Sequence, residues 1–363
     1  KVETVFMGKH SSQYFKGVRE VKVNTQFEPL TWIIVLNFNR HEDCIQCINS
    51  LLGLEYENFQ ILIIDNSSDV ADREKLREFI ETLKLKCSKI KYLELPKNLG
   101  FAGGNNVGIK MAIEEGAEFI WLVNNDVIVA PKSLKMLVKC AQEEEKAAFV
   151  GSKIFFFDQP DLIQHAGGKV YPWKAVTRHI GFGQKDQHEF SKRKTVDFVT
   201  GASLLVRVKA LNQIGLMDES YFLYWEDTNW MVRGRKKGWL TYYEPNSIVW
   251  HKGSITLAGS SYLLTYYGTR NALIFARRNY SLLHFLCALF LRTGLVLFII
   301  LTSLIKREFK EDPKITVARI LGIWHALRGK RGPITQEEIV NAKILKKYTT
   351  TLQKWFQLCF SKK

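Results

Sequence analysis

TWIIVLNFNRHEDCIQCINSLL, residues 31–52, holds one full cycle of the pattern that decides the fold. Thr31–Phe38 is an almost unbroken apolar run with several β-branched residues, the mark of a strand buried on both faces. Asn39 then offers an N-cap, and Cys44, Ile45, Ile48, Leu51 and Leu52 return at helical spacing over His41–Leu52. The cycle repeats: strand Phe59–Ile64, helix Asp72–Leu85, strand Ile90–Leu95, helix Asn105–Glu115, strand Phe119–Val123. A helix follows Pro131, then a strand at Ala148–Phe156, a loop-rich stretch to about residue 195, and a strand interrupted by a turn at Asp197–Arg207. Such alternation predicts a parallel, doubly wound α/β sheet with its ligands at the carboxyl ends of the strands.

Composition sets the outer bounds. The 363 residues are 46% hydrophobic and 24% charged, with 24 Gly and 8 Pro, which excludes a disordered or collagen-like chain. The length allows about two folding units, each with its own core. Six cysteines at 44, 47, 87, 140, 287 and 359 have no repeated spacing, so no disulfide framework is expected and a reducing compartment is favoured. Cys44 and Cys47 form a CxxC without the second pair a zinc site needs, and they read as two residues on one helix face. The chain opens on Lys1 with no signal-peptide pattern, and residues 1–29 read as an N-terminal extension with strand-like alternation at Val18–Val23.

The residues just after each strand carry the chemistry. Asp65-Asn66-Ser67 ends the second strand, where a carboxylate can accept the imide N–H of uracil or thymine and can equally close an Asx turn. Leu99–Gly108, LGFAGGNNVG, opens a helix with small residues that permit close approach of a ligand, but it is neither a dinucleotide fingerprint nor a P-loop. Asn124-Asn125-Asp126 stops an apolar strand in three polar groups, and its carboxylate can bind Mg²⁺ or Mn²⁺. Glu226-Asp227 stands among aromatic residues in FLYWEDTNWMVR, surroundings that raise a carboxyl pKa and improve a proton acceptor. His251 follows a short apolar strand and can serve as a metal ligand, a phosphate contact or a structural histidine.

In their order along the chain, VLNFNR, IIDNSS, NLGFAGGNN, WLVNNDVIV, VTGASLLVR, GLMDESYFLYWEDTNW and VWHKGS resemble the family 2 inverting GT-A glycosyltransferases, most closely the bacterial rhamnosyltransferase-like branch. The resemblance runs from Leu30 to Ser254. It implies a GT-A, Rossmann-like nucleotide-diphospho-sugar transferase domain over residues 30–260. A dTDP- or UDP-linked donor is implied across the strand ends, with Asp65 at the base, Asn39 near the nucleoside, and Asn66, Gly103, Gly104, Asn105 and Asn125 around it. Asp126 falls at the family's metal motif, whose first acid is Asn124 here, and His251 becomes a second metal or diphosphate contact. Asp227 takes the place of the catalytic base, with Glu226 positioning acceptor or base and Asn229 where a second Asp is usual. L-rhamnose is the implied sugar and a polyprenyl-diphosphate-linked or glycan hydroxyl the acceptor, in cell-surface polysaccharide synthesis at the cytoplasmic face of the plasma membrane. The replacements at Asn124 and Asn229 leave a catalytically inactive sugar-nucleotide-binding protein as the rival reading.

Charge separates the rest of the chain. The net +16 is concentrated in residues 271–363, which hold 17 Lys and Arg against 5 Asp and Glu. Residues 281–305 form an apolar run interrupted by His284 and Arg292 and flanked by Arg277, Arg278, Lys306 and Arg307. An arginine at mid-bilayer is costly, so the run predicts a helix lying in the interface with its cations at the headgroups. Residues 261–363 are therefore expected to be a helical, basic, membrane-associating region facing an anionic membrane surface, with nucleic acid disfavoured by the apolar run.

Overall fold

The computed structural model describes residues 28–253, 261–306, 312–335 and Glu338. The strand expected at Val18–Val23 and the part of the expected helical, basic region beyond residue 338 lie outside the described residues. The first half of the chain winds β1 Thr31–Asn37, α1 His41–Leu51, β2 Phe59–Asp65, α2 Val70–Lys84, β3 Ile90–Glu94, α3 Gly100–Glu114 and β4 Phe119–Asn124. Then come β5 Val127–Val129, α4 Ser133–Glu143, β6 Ala147–Phe156, β7 Leu162–His165, β8 Gly168–Tyr171, β9 Val176–His179, β10 Gln184–Lys185, β11 Lys194–Thr195, β12 Ser203–Arg207 and α5 Val208–Ile214. The last elements are α6 Glu226–Lys236, β13 Leu240–His251, α7 Ser261–Asn279, α8 Leu282–Lys306 and α9 Pro313–Leu327.

The parallel core expected from the alternation is present as β3-β2-β1-β4. Beyond β4 the sheet turns mixed: β12 runs antiparallel to β4 and to β6, and β13 pairs parallel with β6 and antiparallel with β5. A wholly parallel sheet is thus corrected to a mixed one: the connection from β6 to β12 runs through short strands with no α-helix, the element that a parallel crossover usually needs.

Side-chain alternation puts the two faces of the strands into two cores. Ile33, Val35, Ile61 and Ile63 pack with Cys44, Cys47 and Ile48 of α1, whereas Trp32, Ile34, Leu62 and Ile64 pack with Ala102, Ile109 and Ala112 of α3. Cys44 and Cys47 are wholly buried, and burial pushes both thiols up, so the CxxC is core. Two boundaries differ from expectation. Arg40, not Asn39, is the N-cap of α1, Asn39 itself being left-handed at φ 54°. Helix α3 begins at Gly100 rather than Asn105, so the glycines lie inside its first turns.

Three helices follow the sheet. α7 packs against α6, α8 and α9. On α8 the buried residues Phe285, Ala288 and Val296 recur on one side, and Arg292 shares that side. Arg292 donates to the carbonyls of Lys174 (3.0 Å) and Ala175 (2.7 Å) in the β8–β9 turn, while His284 stacks on Trp173 at 3.9 Å between centroids. The residues that interrupt the apolar run are those that dock it. The opposite side leaves Leu282, Leu283, Leu286, Phe290, Leu297 and Phe298 exposed.

Candidate active site

Register assembles the strand-end residues. Asn37 pairs with Asp65 across β1–β2, and Leu36 with Asn124 across β1–β4, so three strands end on one line. Asn37, not singled out in the sequence, is fully buried at its centre. Its Nδ2 lies 3.2 Å from Asp65 Oδ2, 3.3 Å from Ser68 Oγ and 3.2 Å from Asp72 Oδ2, and its Oδ1 accepts from Asn125 Nδ2 at 2.8 Å. Asp65 is also fully buried, and its second oxygen accepts the Ser68 N–H at 2.9 Å. One carboxylate oxygen therefore serves the local turn and the other the neighbouring strand through Asn37, whereas Asn39 is exposed beside it, accepting from the Asp69 N–H at 2.8 Å.

Asn66 is buried and spans to the start of α3, accepting from the Leu99 N–H at 2.9 Å and donating to Asn98 Oδ1 and the Gly100 carbonyl. The small residues of α3 serve packing. A Cβ on Gly104 would lie 2.6 Å from Leu36 Cδ1 and one on Gly103 2.8 Å from Leu99 Cβ, so protein fills the room expected for a ligand. Asn105 is buried and donates to the Phe101 carbonyl, and Asn106 ties α3 to Met217 and Glu219. Gly100, at φ 73°, has the Phe222 carbonyl 2.3 Å from where its Cβ would be. That close approach is what the glycine permits.

Asp126 and His251 come together because β5 and β13 pair with His251 opposite Val127. His251 Nε2 stands 3.1 Å from Asp126 Oδ1, and the other ring nitrogen is 2.6 Å from Gln164 Oε1. Asp126 is only 6% exposed. Among the described residues no three His, Cys, Asp or Glu side chains converge, so the protein offers these two groups alone.

His251 and Asp227 line the same cavity, of about 490 Å³, together with Gln164, His165, His179 and Trp225. Asp227 sits in the first turn of α6. Its Oδ2 accepts the Gly201 N–H at 3.1 Å and its Oδ1 the Thr228 N–H, which aims the carboxylate. Burial raises its pKa and these N–H groups oppose the rise. Glu226 lies beneath, 4% exposed and outside the cavity lining, with its buried Oε2 unpartnered among the described residues. Burial, reinforced by the Asp227 charge, pushes its pKa well above the carboxylate range. Any positioning by Glu226 acts through the loop rather than by touching an acceptor. Asn229, also buried, accepts from Asn279 Nδ2 at 2.9 Å, so its amide serves α7 packing. His165 and His179 meet Nδ1 to Nδ1 at 2.9 Å, and burial holds both below the usual histidine pKa.

The backbone before Asp227 is unusual. Phe222, Tyr224 and Trp225 all have positive φ (65°, 65° and 76°), a region that bulky residues occupy only under constraint. Asn271 of α7 supplies that constraint. Its Nδ2 reaches the carbonyls of Tyr221 (3.0 Å), Leu223 (2.7 Å) and Tyr224 (2.9 Å). Arg270 adds bonds to the Tyr221 carbonyl (2.9 Å) and Gly332 carbonyl (2.6 Å) and to Asn271 Oδ1 (2.8 Å). Both side chains are fully buried. The sequence signal for them is an Arg-Asn pair in an otherwise apolar stretch of α7, which polarity alone marks as buried and bonded.

Two outcomes follow for stability. Asn271→Ala should lower the unfolding free energy in urea by at least about 2 kcal/mol, since buried carbonyls lose their donor. Glu226→Gln should raise Tm, and raise it more as pH climbs from about 4 to 8, because the native state keeps a proton that the unfolded state releases above about pH 4.3. An equal Tm difference at both pH values would show that Glu226 ionises in the fold.

Comparison with known proteins places this geometry. Residues 32–215 match the model of Glycosyl transferase family 2. The dTDP-rhamnosyl transferase RfbF of Shigella flexneri is 25% identical over 315 residues, covering 83% of this chain and 96% of that protein. The N-acetylglucosaminyl-diphospho-decaprenol L-rhamnosyltransferase of Mycobacterium tuberculosis is 30% identical over 186 residues, 45% of this chain and 58% of that one. Among solved structures, the mannosyltransferase PcManGT of Pyrobaculum calidifontis, in complex with GDP-Man and Mn²⁺, aligns with a TM-score of 0.52 at 12% identity over 93% of this chain and 89% of its own. GalNAc-T7 with UDP, GalNAc and Mn²⁺ aligns with a TM-score of 0.53 at 14% identity, over 62% of this chain and 44% of its own. With the family match spanning half the chain and the mixed GT-A sheet in place, the protein belongs to glycosyl transferase family 2 and is a glycosyltransferase, with rhamnosyltransferases among the relatives it resembles.

Proposed function

We propose that the protein transfers a hexosyl group, with inversion, from a nucleoside-diphosphate donor to a hydroxyl of a lipid-linked or glycan acceptor in bacterial cell-surface polysaccharide synthesis. The relatives' names favour L-rhamnose carried on dTDP. One observation carries the reading: a fixed carboxylate, Asp227, and an imidazole, His251, line one cavity of a size that takes a small ligand, and Asp126 stands 3.1 Å from that imidazole.

Inversion asks for a single base on the face opposite the leaving group, and Asp227 is the side chain of that cavity equipped for it. Gly201 and Thr228 hold its orientation, and burial raises its affinity for the proton released by the incoming hydroxyl. Asp126 and His251 fit a divalent cation. Their donor set is a carboxylate oxygen and an imidazole nitrogen, and Gln164 fixes the ring from behind in the manner of an outer-shell partner. Mg²⁺ or Mn²⁺ held there would offset the negative charge of the departing diphosphate. Asn39, exposed at the end of β1, and Asn125, beside Asn37, face the donor side.

The C-terminal helices extend the assignment. Because α7 holds the loop before Asp227, the transferase unit runs through residue 279 rather than ending at 260. Within helix α8, Leu282–Thr302 is a 21-residue stretch of membrane-compatible composition, mostly unburied. A crossing α8 would carry the β8–β9 turn bound to Arg292 into hydrocarbon, where irregular backbone is disfavoured. An α8 lying in the headgroup layer keeps that turn wet and places its apolar side in lipid.

Asp227→Asn should lose roughly 10²-fold or more in transfer while nucleotide-sugar binding, read by thermal shift, stays within about twofold. Near-normal turnover would reject Asp227 as the base. Asp126→Ala should abolish stimulation by Mg²⁺ or Mn²⁺, and persistent stimulation would move the cation site elsewhere. Replacing Leu286, Phe290 and Leu297 together by Ser should release the protein from anionic vesicles with little change in Tm. Undiminished flotation with vesicles would remove α8 from the membrane contact.

A further inference from the structure

Four arginines meet in a cavity that the transfer reaction does not use. Arg277 and Arg278, in the last turn of α7, and Arg328 and Arg331, just past α9, line a space of about 480 Å³ with Ile274, Ala326, Leu327 and Gly329. Among the described residues no carboxylate lines it. Arg278 is neutralised by Asp218 and also bonds Ser220 Oγ. Among the described residues, Arg277, Arg328 and Arg331 have no ion pair, and the Arg328 guanidinium rests over the Trp324 ring at 4.1 Å.

Helix C-termini welcome a basic residue, which accounts for one cation on each helix. It does not account for three uncompensated guanidiniums facing one space, where their charges repel. A counter-anion removes that repulsion, and the planar forks suit phosphate oxygens two at a time. We propose that this cavity binds a phosphate monoester or diphosphate group. A phosphodiester, with a single charge, leaves most of the excess unmatched, whereas a group of two or more charges balances it.

This anion is not the donor's diphosphate. Gly268 of α7 lines the catalytic cavity and Arg277 lies nine residues farther along, about 14 Å at the helical rise. Two sources can present such a group here: the headgroup of a lipid beside the exposed start of α8 at Leu282 and Leu283, or a soluble phosphate ester.

The test uses the full-length chain, wild type and R277Q/R328Q/R331Q, with R277K/R328K/R331K as a charge-conserving companion. Inorganic diphosphate titrated by calorimetry should show two binding events in the wild type. One should weaken tenfold or more in the Gln variant and weaken also in the Lys variant, which keeps charge but loses the forks. Phosphatidylcholine vesicles carrying phosphatidic acid or phosphatidylglycerol at equal surface charge identify the source. A preference for phosphatidic acid that both variants lose supports the site and assigns it to a lipid headgroup. Loss of the diphosphate event without any vesicle preference supports the site and assigns it to a soluble ester. If the Gln variant, folded by circular dichroism, binds diphosphate as the wild type does, the proposal is overturned.

Discussion

A left-handed turn built from aromatic residues is the constraint on which the active site rests. Phe222, Tyr224 and Trp225 are all residues for which positive φ is unfavourable, and the segment exists because buried partners over-determine it. Asn271 takes up three of its carbonyls, and Arg270 reinforces the same point from the next position of α7. On the other side the Phe222 carbonyl accepts the Phe101 N–H at 2.8 Å, over a glycine that cannot be replaced without collision. Helix α6 therefore starts where it does, and Asp227 falls in its first turn facing the cavity. The helix that follows the sheet thus fixes the position of Asp227, the base proposed above.

Much of this was legible in the sequence, and the legible part has a common origin. Elements β1 to β4 with their helices follow from local periodicity, since each strand and helix writes its own burial pattern. The places of Asp126 and Asp227, just past a strand end and in the first turn of a helix, were also readable, because each ends or opens an element in polar residues where apolar ones would serve the core better. What escaped was set by distance along the chain. Asn37 looks like a strand terminus until register brings Asp65, Asp72 and Asn125 to it. Arg292 looks like a flaw in an apolar helix until the turn at Lys174 and Ala175 comes within its reach.

The glycine-rich stretch shows why small residues mislead. LGFAGGNNVG was read as space for a ligand, since a missing side chain leaves the same mark whatever fills the gap. Leu36, Leu99 and Phe222 fill it. The asparagines beside those glycines are likewise turned to the protein, Asn106 fastening Met217 and Glu219 ahead of the catalytic loop. The motif shapes the site from beneath, by fixing how closely α3 may approach the sheet and the loop.

The β8–β9 hairpin has its turn fixed to α8 by Arg292 and its far end at His179 in the catalytic cavity. His179 lies four residues beyond Ala175, about 13 Å in extended chain. Were α8 to rest on the headgroups as proposed, that span would act as a ruler. An acceptor anchored in the bilayer would then be reached when its free alcohol stands one or two sugar rings above the surface, and a longer glycan would carry its growing tip past the cavity. Chain length would then be read by geometry before any pocket discriminates among sugars.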